Sequence, residues 1–213
     1  MADNTMFLER IPGWFRGYFN YKDLPGFLGK EKAKGGLVEA VFLYVIIATL
    51  ALITSFLYLQ AMGSATFSQV FGSSGGLQAA VPDFSPLGIT FQYVSGMAEF
   101  FLLSAFLFGA ARFLGGNGSF KGQTYLLAVT AFVFSVISFP VMSFVFFLPV
   151  ELVCILYIPL LLLSLYSFYV LYQMIKAVHT LTRWTAIAVL VVYVIATYIL
   201  SALSLIAKMA LGV

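Results

Sequence analysis

The sequence predicts an all-α polytopic bundle of five membrane-spanning helices, preceded by an amphipathic N-terminal segment. Three observations predict it. The 213 residues are 62% hydrophobic and 9% charged, against about 25% charged for an ordinary soluble domain. The apolar residues are gathered into runs long enough to cross a bilayer, which takes about 20 residues of helix. Short polar breaks separate the runs, and they must surface because their backbone groups would find no partners in hydrocarbon. The alternating strands of a transmembrane barrel are not visible.

Residues 1–36 form the first unit and carry six of the eleven cations: Arg10, Arg16, Lys22, Lys30, Lys32 and Lys34. Asp3, Glu9 and Arg10 interrupt the start before the apolar region of a signal peptide could form. Phe7, Ile11, Phe15 and Tyr18 follow helical spacing, with Trp14, Phe19 and Tyr21 among the basic residues. Such a mixture suits a segment lying in the headgroup layer, apolar face down and cations near anionic lipid. Arg10, Trp14, Arg16, Lys30, Lys32 and Lys34 are its candidate membrane-surface residues. A site for a membrane-protein partner is the alternative. Nucleic-acid binding is not expected, since Asp3, Glu9, Asp23 and Glu31 dilute the charge.

Gly35-Gly36 breaks the chain, and residues 37–213 form the spanning domain. Its first span is expected at 37–62. A loop at 63–86, with Gly63, Gly72, Gly75, Gly76, Pro82 and Pro86 and no Lys or Arg, lies on the far side. The second span is expected at 87–114, followed by the turn RFLGGNGSFKGQ at 112–123. From Leu126 to Gln173 no cation occurs; as one helix this stretch would reach about 72 Å, more than twice the hydrocarbon thickness. It must fold back, at Phe144–Leu152 where Pro149 and Glu151 fall together, giving spans at 123–143 and 153–173 with a kink at Pro159. The turn Lys176–Arg183 leads to a fifth span at 184–207. Ten of the eleven cations then fall on one side, and only Lys208 falls elsewhere. By the positive-inside rule the protein is integral to the cell membrane, N-terminus cytoplasmic and C-terminus outside.

Two of the turns carry a family likeness. Gly115-Gly116-Asn117-Gly118-Ser119-Phe120-Lys121 and Lys176-Ala-Val-His179-Thr-Leu181-Thr182 resemble the glycine-rich turn and the basic–His–Gly–Leu–Ser-like turn of the Yip family, the Rab/Ypt-interacting membrane proteins, in its prokaryotic form. Thr180 stands where that pattern favours glycine. The resemblance covers about residues 37–207 and implies a cytoplasmic N-terminus, five spans and a role in membrane organisation or trafficking. The Asp-Leu-Tyr-Gly-Pro-type motif of eukaryotic members is missing ahead of the first span.

Few residues point to chemistry. Glu99 lies about midway along the second span, where a charge costs at least ~2.5 kcal/mol, with Gln92 and Ser95 on its stripe. Tyr193, Thr197 and Ser201 form an approximate face of the fifth span that could partner it. That constellation is read either as a transport site, with Glu99 coupling or gating, or as a polar contact between helices. Thr124, Ala128, Ala131, Ser135 and Ser138, and the pair Ala105 and Gly109, read as helix-packing stripes. His179, alone in the sequence, is expected at the surface or interface of a cytoplasmic turn, and Cys154 as a packing residue. Glu151 is expected in contact with water. Gly116-x-Gly118 with Lys121 lacks the spacing of a phosphate loop. No nucleophile triad or metal-ligand cluster is visible, so neither an enzyme nor a cofactor is expected. A scaffold or interaction protein is the preferred reading, and a small transporter or channel the alternative. A homo-oligomer is compatible with both.

Overall fold

The computed structural model describes residues 7–62, 86–145, 148 and 150–211. The far-side loop therefore lies outside the described residues, as do the side chains of Glu151, Cys154 and Lys208. After a 3-10 turn at Phe7–Arg10 come two short helices, α1 (Ile11–Phe19) and α2 (Leu24–Glu31). Five long ones follow: α3 (Leu37–Met62), α4 (Pro86–Phe113), α5 (Phe120–Val145), α6 (Val150–His179) and α7 (Arg183–Leu211). Each of the five is long and apolar enough to cross a membrane, and the protein is an integral membrane protein.

The long helices start near the expected positions and overrun them at several ends. α6 continues six residues past Gln173, because Lys176 and His179 occupy its last turn, where cations complement the helix dipole. α5 begins at Phe120, so the turn between α4 and α5 tightens to six residues.

α5 is the central element. α3 packs along it, α6 and the C-terminal part of α4 flank it, and α7 closes the bundle against α4 and α6. Its first half is buried almost continuously, with Gln123, Thr124, Tyr125, Leu126, Ala128 and Val129 inaccessible. The second half of α5 is mostly half-buried, and most of α6 faces outward, exposing Leu152, Ile155, Ile158, Leu161, Leu165 and Phe168. The core therefore lies at the end of the bundle that carries Arg112, Lys121, Lys176 and Arg183, here called the basic end.

The N-terminal segment departs from the sequence expectation. It does not lie flat with its apolar face toward lipid. Pro12 and Pro25 sit in the first turns of α1 and α2, positions where their missing N–H costs nothing, and Asn20 and Asp23 bracket the turn between them. The two helices form a hairpin packed on α5 and α6. Its apolar face, Trp14, Tyr18, Leu24 and Leu28, is fully buried in protein. Burying those side chains against the exposed flank of α5 and α6 stabilises the docked state by about 2 kcal/mol each; the same periodicity that suits a lipid surface suits a protein groove.

Trp14→Ala should remove about 3–5 kcal/mol, concentrated in the docking of the hairpin. Trypsin cleavage at Arg16, Lys22 or Lys30 is expected to accelerate at least tenfold in detergent micelles while the five-helix core stays resistant. Cleavage at the wild-type rate would show that the hairpin is not held this way.

Candidate functional site

The hairpin is fastened by one carboxylate. Glu31, at the end of α2, is 3% exposed. Its Oε1 accepts from Arg10 Nη2 at 2.6 Å, Trp14 Nε1 at 2.9 Å and Tyr125 Oη at 2.9 Å. The Arg10 guanidinium also lies against the Trp14 and Tyr125 rings, 5.7 and 5.5 Å from their centroids, and donates to the Tyr125 hydroxyl. Lys34 stands 3.7 Å from Oε2 at the exposed rim. Burial disfavours the charge on Glu31, yet the three donors and the adjacent guanidinium hold its carboxyl below the usual carboxylate range. Burial likewise opposes the charge on Arg10, and the bond to Glu31 overcomes it.

Further up the hairpin, the Tyr18 hydroxyl shares a bond of 2.9 Å with Thr130 on α5, while Tyr166 on α6 donates to the Tyr18 carbonyl. At the other end Lys32 Nζ donates to the Ala177 carbonyl at 2.9 Å, satisfying one of the free acceptors in the last turn of α6.

The two turns that resemble the Yip family meet. Asn117 N–H donates to the His179 carbonyl at 3.1 Å, and the His179 ring is clamped between Gly116 and Gly118. A Cβ on Gly118 would stand 2.6 Å from Nδ1, and one on Gly116 2.9 Å from the histidine Cβ. Only glycine fits at either position. Gly115, at φ +89°, supplies the left-handed step that ends α4. Ser119 Oγ accepts from the Gly122 N–H at 3.2 Å and starts α5, and the Phe120 ring meets Phe108 edge-on. Leu181 is buried in the core, and Thr182 accepts from and bonds with Thr185 at the start of α7. Lys121 reaches back to Gly36, beside Glu39 in the first turn of α3.

His179 is not a surface residue, contrary to the sequence expectation. It is fully buried, because the glycine turn leaves a slot the size of an imidazole ring. Its Nε2 lies 2.6 Å from Gln123 Oε1. Gln123 Nε2 donates to the Ser104 carbonyl at 2.8 Å, an atom that can only accept. That fixes the amide orientation, so His179 Nε2 carries the proton and donates. Ser104 Oγ and Thr124 Oγ1 pair at 2.6 Å. The chain Ser104–Gln123–His179 thus ties α4, α5 and α6 together, with Phe108 against the imidazole. Nothing but their polarity marks Gln123 or Glu31 in the sequence.

The membrane-surface candidates divide. Arg10 and Trp14 turn inward to Glu31, and Lys32 is taken by α6; Arg16, Lys30 and Lys34 are exposed. At mid-bundle, Glu99 is half-buried, and Ser201 Oγ donates to it at 3.2 Å across the α4–α7 contact. Thr197 donates to its own helix at the Tyr193 carbonyl and Ser95 to that of Gln92, so neither hydroxyl donates to Glu99. Gln92 lines a separate crevice of about 120 Å³ with Tyr44, Ser55 and Tyr93. Ser135 and Ser138 line another of about 290 Å³ between α3 and α5. Ala105 and Gly109 do not pack helix on helix; they floor an open apolar groove between α4 and α7.

Two outcomes follow. Thr180 sits at φ +54°, in the left-handed region that costs a β-branched residue about 1–2 kcal/mol. Thr180→Gly should therefore raise stability, by about 0.5–1 kcal/mol after the greater chain entropy of glycine is subtracted, read as a higher midpoint of thermal unfolding. The second concerns pH. Glu31 has its carboxyl pKa lowered by docking, so its contribution is complete above the ordinary glutamate value of about 4.3 and is lost as pH falls through the lower folded value. Trp14 fluorescence should hold constant from neutral pH down to that region and then report release of the hairpin. In Glu31→Gln, which leaves Arg10 unpaired at a loss of about 3 kcal/mol, the step should vanish and release should already be evident at neutral pH.

No curated relative and no solved structure matches the chain. The Yip1 domain profile matches residues 28–206, from the last turn of α2 almost to the end of α7. The match takes in both turns that clasp His179, the five long helices and the glutamate that fastens the hairpin. This integral membrane protein belongs to the Yip1 domain family.

Proposed function

We propose that the protein is a scaffold or interaction protein of the membrane, not an enzyme, with the basic end as its working face. The observation that supports this most is the way directional bonds are distributed. The Glu31 cluster, the His179 clasp and the Lys32 cap all lie at one end; the clasp ties α4, α5 and α6 together, and the other two hold a short hairpin on α5 and α6. That rigid surface presents Arg16, Lys22, Lys30, Lys34, Lys121, Lys176 and Arg183, all exposed. A preformed, cation-bearing platform suits recognition of an acidic partner or of anionic lipid, since preorganisation lowers the entropic cost of binding. By the positive-inside rule this face is cytoplasmic, the N-terminus with it, and the C-terminus lies on the other side.

A second reading is favoured by Glu99: an acid at mid-bundle, bonded across two helices to Ser201, is the kind of residue that couples ion movement. The two readings separate in one experiment. Proton and potassium flux would be measured in liposomes holding wild type or Glu99→Gln. The scaffold reading expects no gradient-driven flux from either, and a stability loss of about 1 kcal/mol in the variant from the weakened bond to Ser201. Flux in wild type that disappears in a folded Glu99→Gln would overturn it in favour of transport.

A further inference from the structure

The hairpin stands along the bundle rather than across its end, and its tip points away from the basic end. The open end is fixed at the helix termini by Lys32 on the Ala177 carbonyl and Glu31 on Tyr125. The closed end lies far down the bundle. Phe19 stacks on Tyr166, ring centroids 5.6 Å apart, and meets Phe134 at 6.2 Å. Tyr166 precedes the end of α6 at His179 by thirteen residues, and Phe134 follows the start of α5 by fourteen. At 1.5 Å per residue the tip therefore sits about 20 Å below the termini of both helices.

That depth can be set against the apolar belt. Among the described side chains of α6, the exposed large apolar ones run from Leu152 to Tyr169, a length of about 25 Å that nearly matches the hydrocarbon core. From 170 to 179 none is exposed, and α2 covers that flank. Tyr166 and the Phe19 ring on it thus lie at the upper edge of the belt. On the outer side the level is bracketed by Trp184, which is 75% exposed and carries the Arg183 guanidinium 5.8 Å from its ring centroid, the kind of residue that anchors at an interface. The tip lies just inside the first of these marks, about one helical turn below the last exposed ring of α6.

Its chemistry fits that depth. Phe19 and Tyr21 are exposed aromatics at 45% and 61%. The Lys22 ammonium lies 5.9 Å from the Tyr21 ring centroid, and Arg16 is exposed one turn before the tip. The acid of the turn, Asp23, accepts from Asn20 Nδ2 at 2.9 Å. Exposed rings beside free cations are what a phospholipid interface selects, the rings among glycerol and upper acyl groups and the cations on phosphate.

We propose that the hairpin tip, Phe19–Asp23, is inserted into the headgroup layer at the basic end, with Lys22 and Arg16 on lipid phosphates. The hairpin is then an upright re-entrant anchor, rigid because it is docked on α5 and α6, that fixes how deep the bundle rides on that side. This inference does not depend on the scaffold reading; it would hold equally for a transporter.

The test measures depth directly. Single cysteines at Asn20, Tyr21 and Ala33, each in a Cys154→Ala background, would be spin-labelled in phosphatidylcholine–phosphatidylglycerol vesicles. Accessibility to oxygen would be compared with that to a water-soluble nickel chelate. Asn20 and Tyr21 labels are expected to favour oxygen over chelate several-fold more than the Ala33 label at the open end. Asn20 and Tyr21 labels as open to chelate as Ala33 would overturn the proposal, as would labels closed to both probes, since protein would then cover the tip. Lys22→Glu with the Tyr21 label supplies a check within a docked hairpin: its oxygen preference should fall at least twofold, and an unchanged value would remove lysine–phosphate contact from the account.

Discussion

A carboxylate taken out of water must be given partners or it will not stay charged, and Glu31 meets that requirement by drawing on three separate elements. Arg10 comes from the turn before α1, Trp14 from α1 and Tyr125 from α5. None of the three could be moved by a turn of helix without leaving the anion short of a donor. The register of the hairpin on α5 is set by that demand, and much else follows from it. Tyr18 reaches Thr130 only because Trp14 is held at Glu31 one turn away. Gly35, which in sequence merely marks a chain break, has to be glycine because the Tyr125 ring occupies the space where its Cβ would be.

The five spans were legible in the sequence because hydrocarbon imposes a length and a composition that no other environment does. The positions Leu37 and Arg183, where α3 and α7 begin, could be read within a residue from the polar breaks alone. The hairpin was legible only in part. Ile11, Phe15 and Tyr18 lie on or beside the face that packs, as their spacing indicates, but an apolar stripe does not say whether lipid or protein will cover it. That question is decided by Glu31, which in the sequence looked like one more charge in a mixed segment. His179 was misplaced for a related reason. A lone histidine between Lys176 and Arg183 has the surroundings of a surface residue, and nothing local shows that Gly116 and Gly118, some sixty positions earlier, make room for it. The likeness of the two turns to one family did carry that information, though only as a resemblance between sequences; their contact is its physical reason.

Thr180 makes the same point from the opposite side. The turn after His179 needs a left-handed residue, which is why the family pattern favours glycine there. This chain places threonine in that conformation, with its hydroxyl donating to the His179 carbonyl at 2.7 Å. The bond offsets part of the backbone strain and lies on the same carbonyl that Asn117 uses. The substitution is tolerated because the clasp around His179 over-determines the turn, as strained positions require.

The bundle is thus built differently at its two ends, and the difference bears on function. Near the basic end, hydrogen bonds run between elements: Ser104 with Thr124, His179 to Gln123, Lys32 to the Ala177 carbonyl. Toward the other end many hydroxyls fold back on their own helices instead, as Thr54, Ser55, Ser138 and Ser143 do. Bonds within a helix move with it and do not fix one helix to its neighbour. The crevices lined by Ser55, Gln92, Ser135 and Ser138 lie in that second region, where Thr49 and Tyr93 bond across α3 and α4 at 2.8 Å. Glu99 and Ser201 form the polar tie between α4 and α7 there. Bonds between elements thus concentrate at the basic end, which is where the proposed scaffold role would need them.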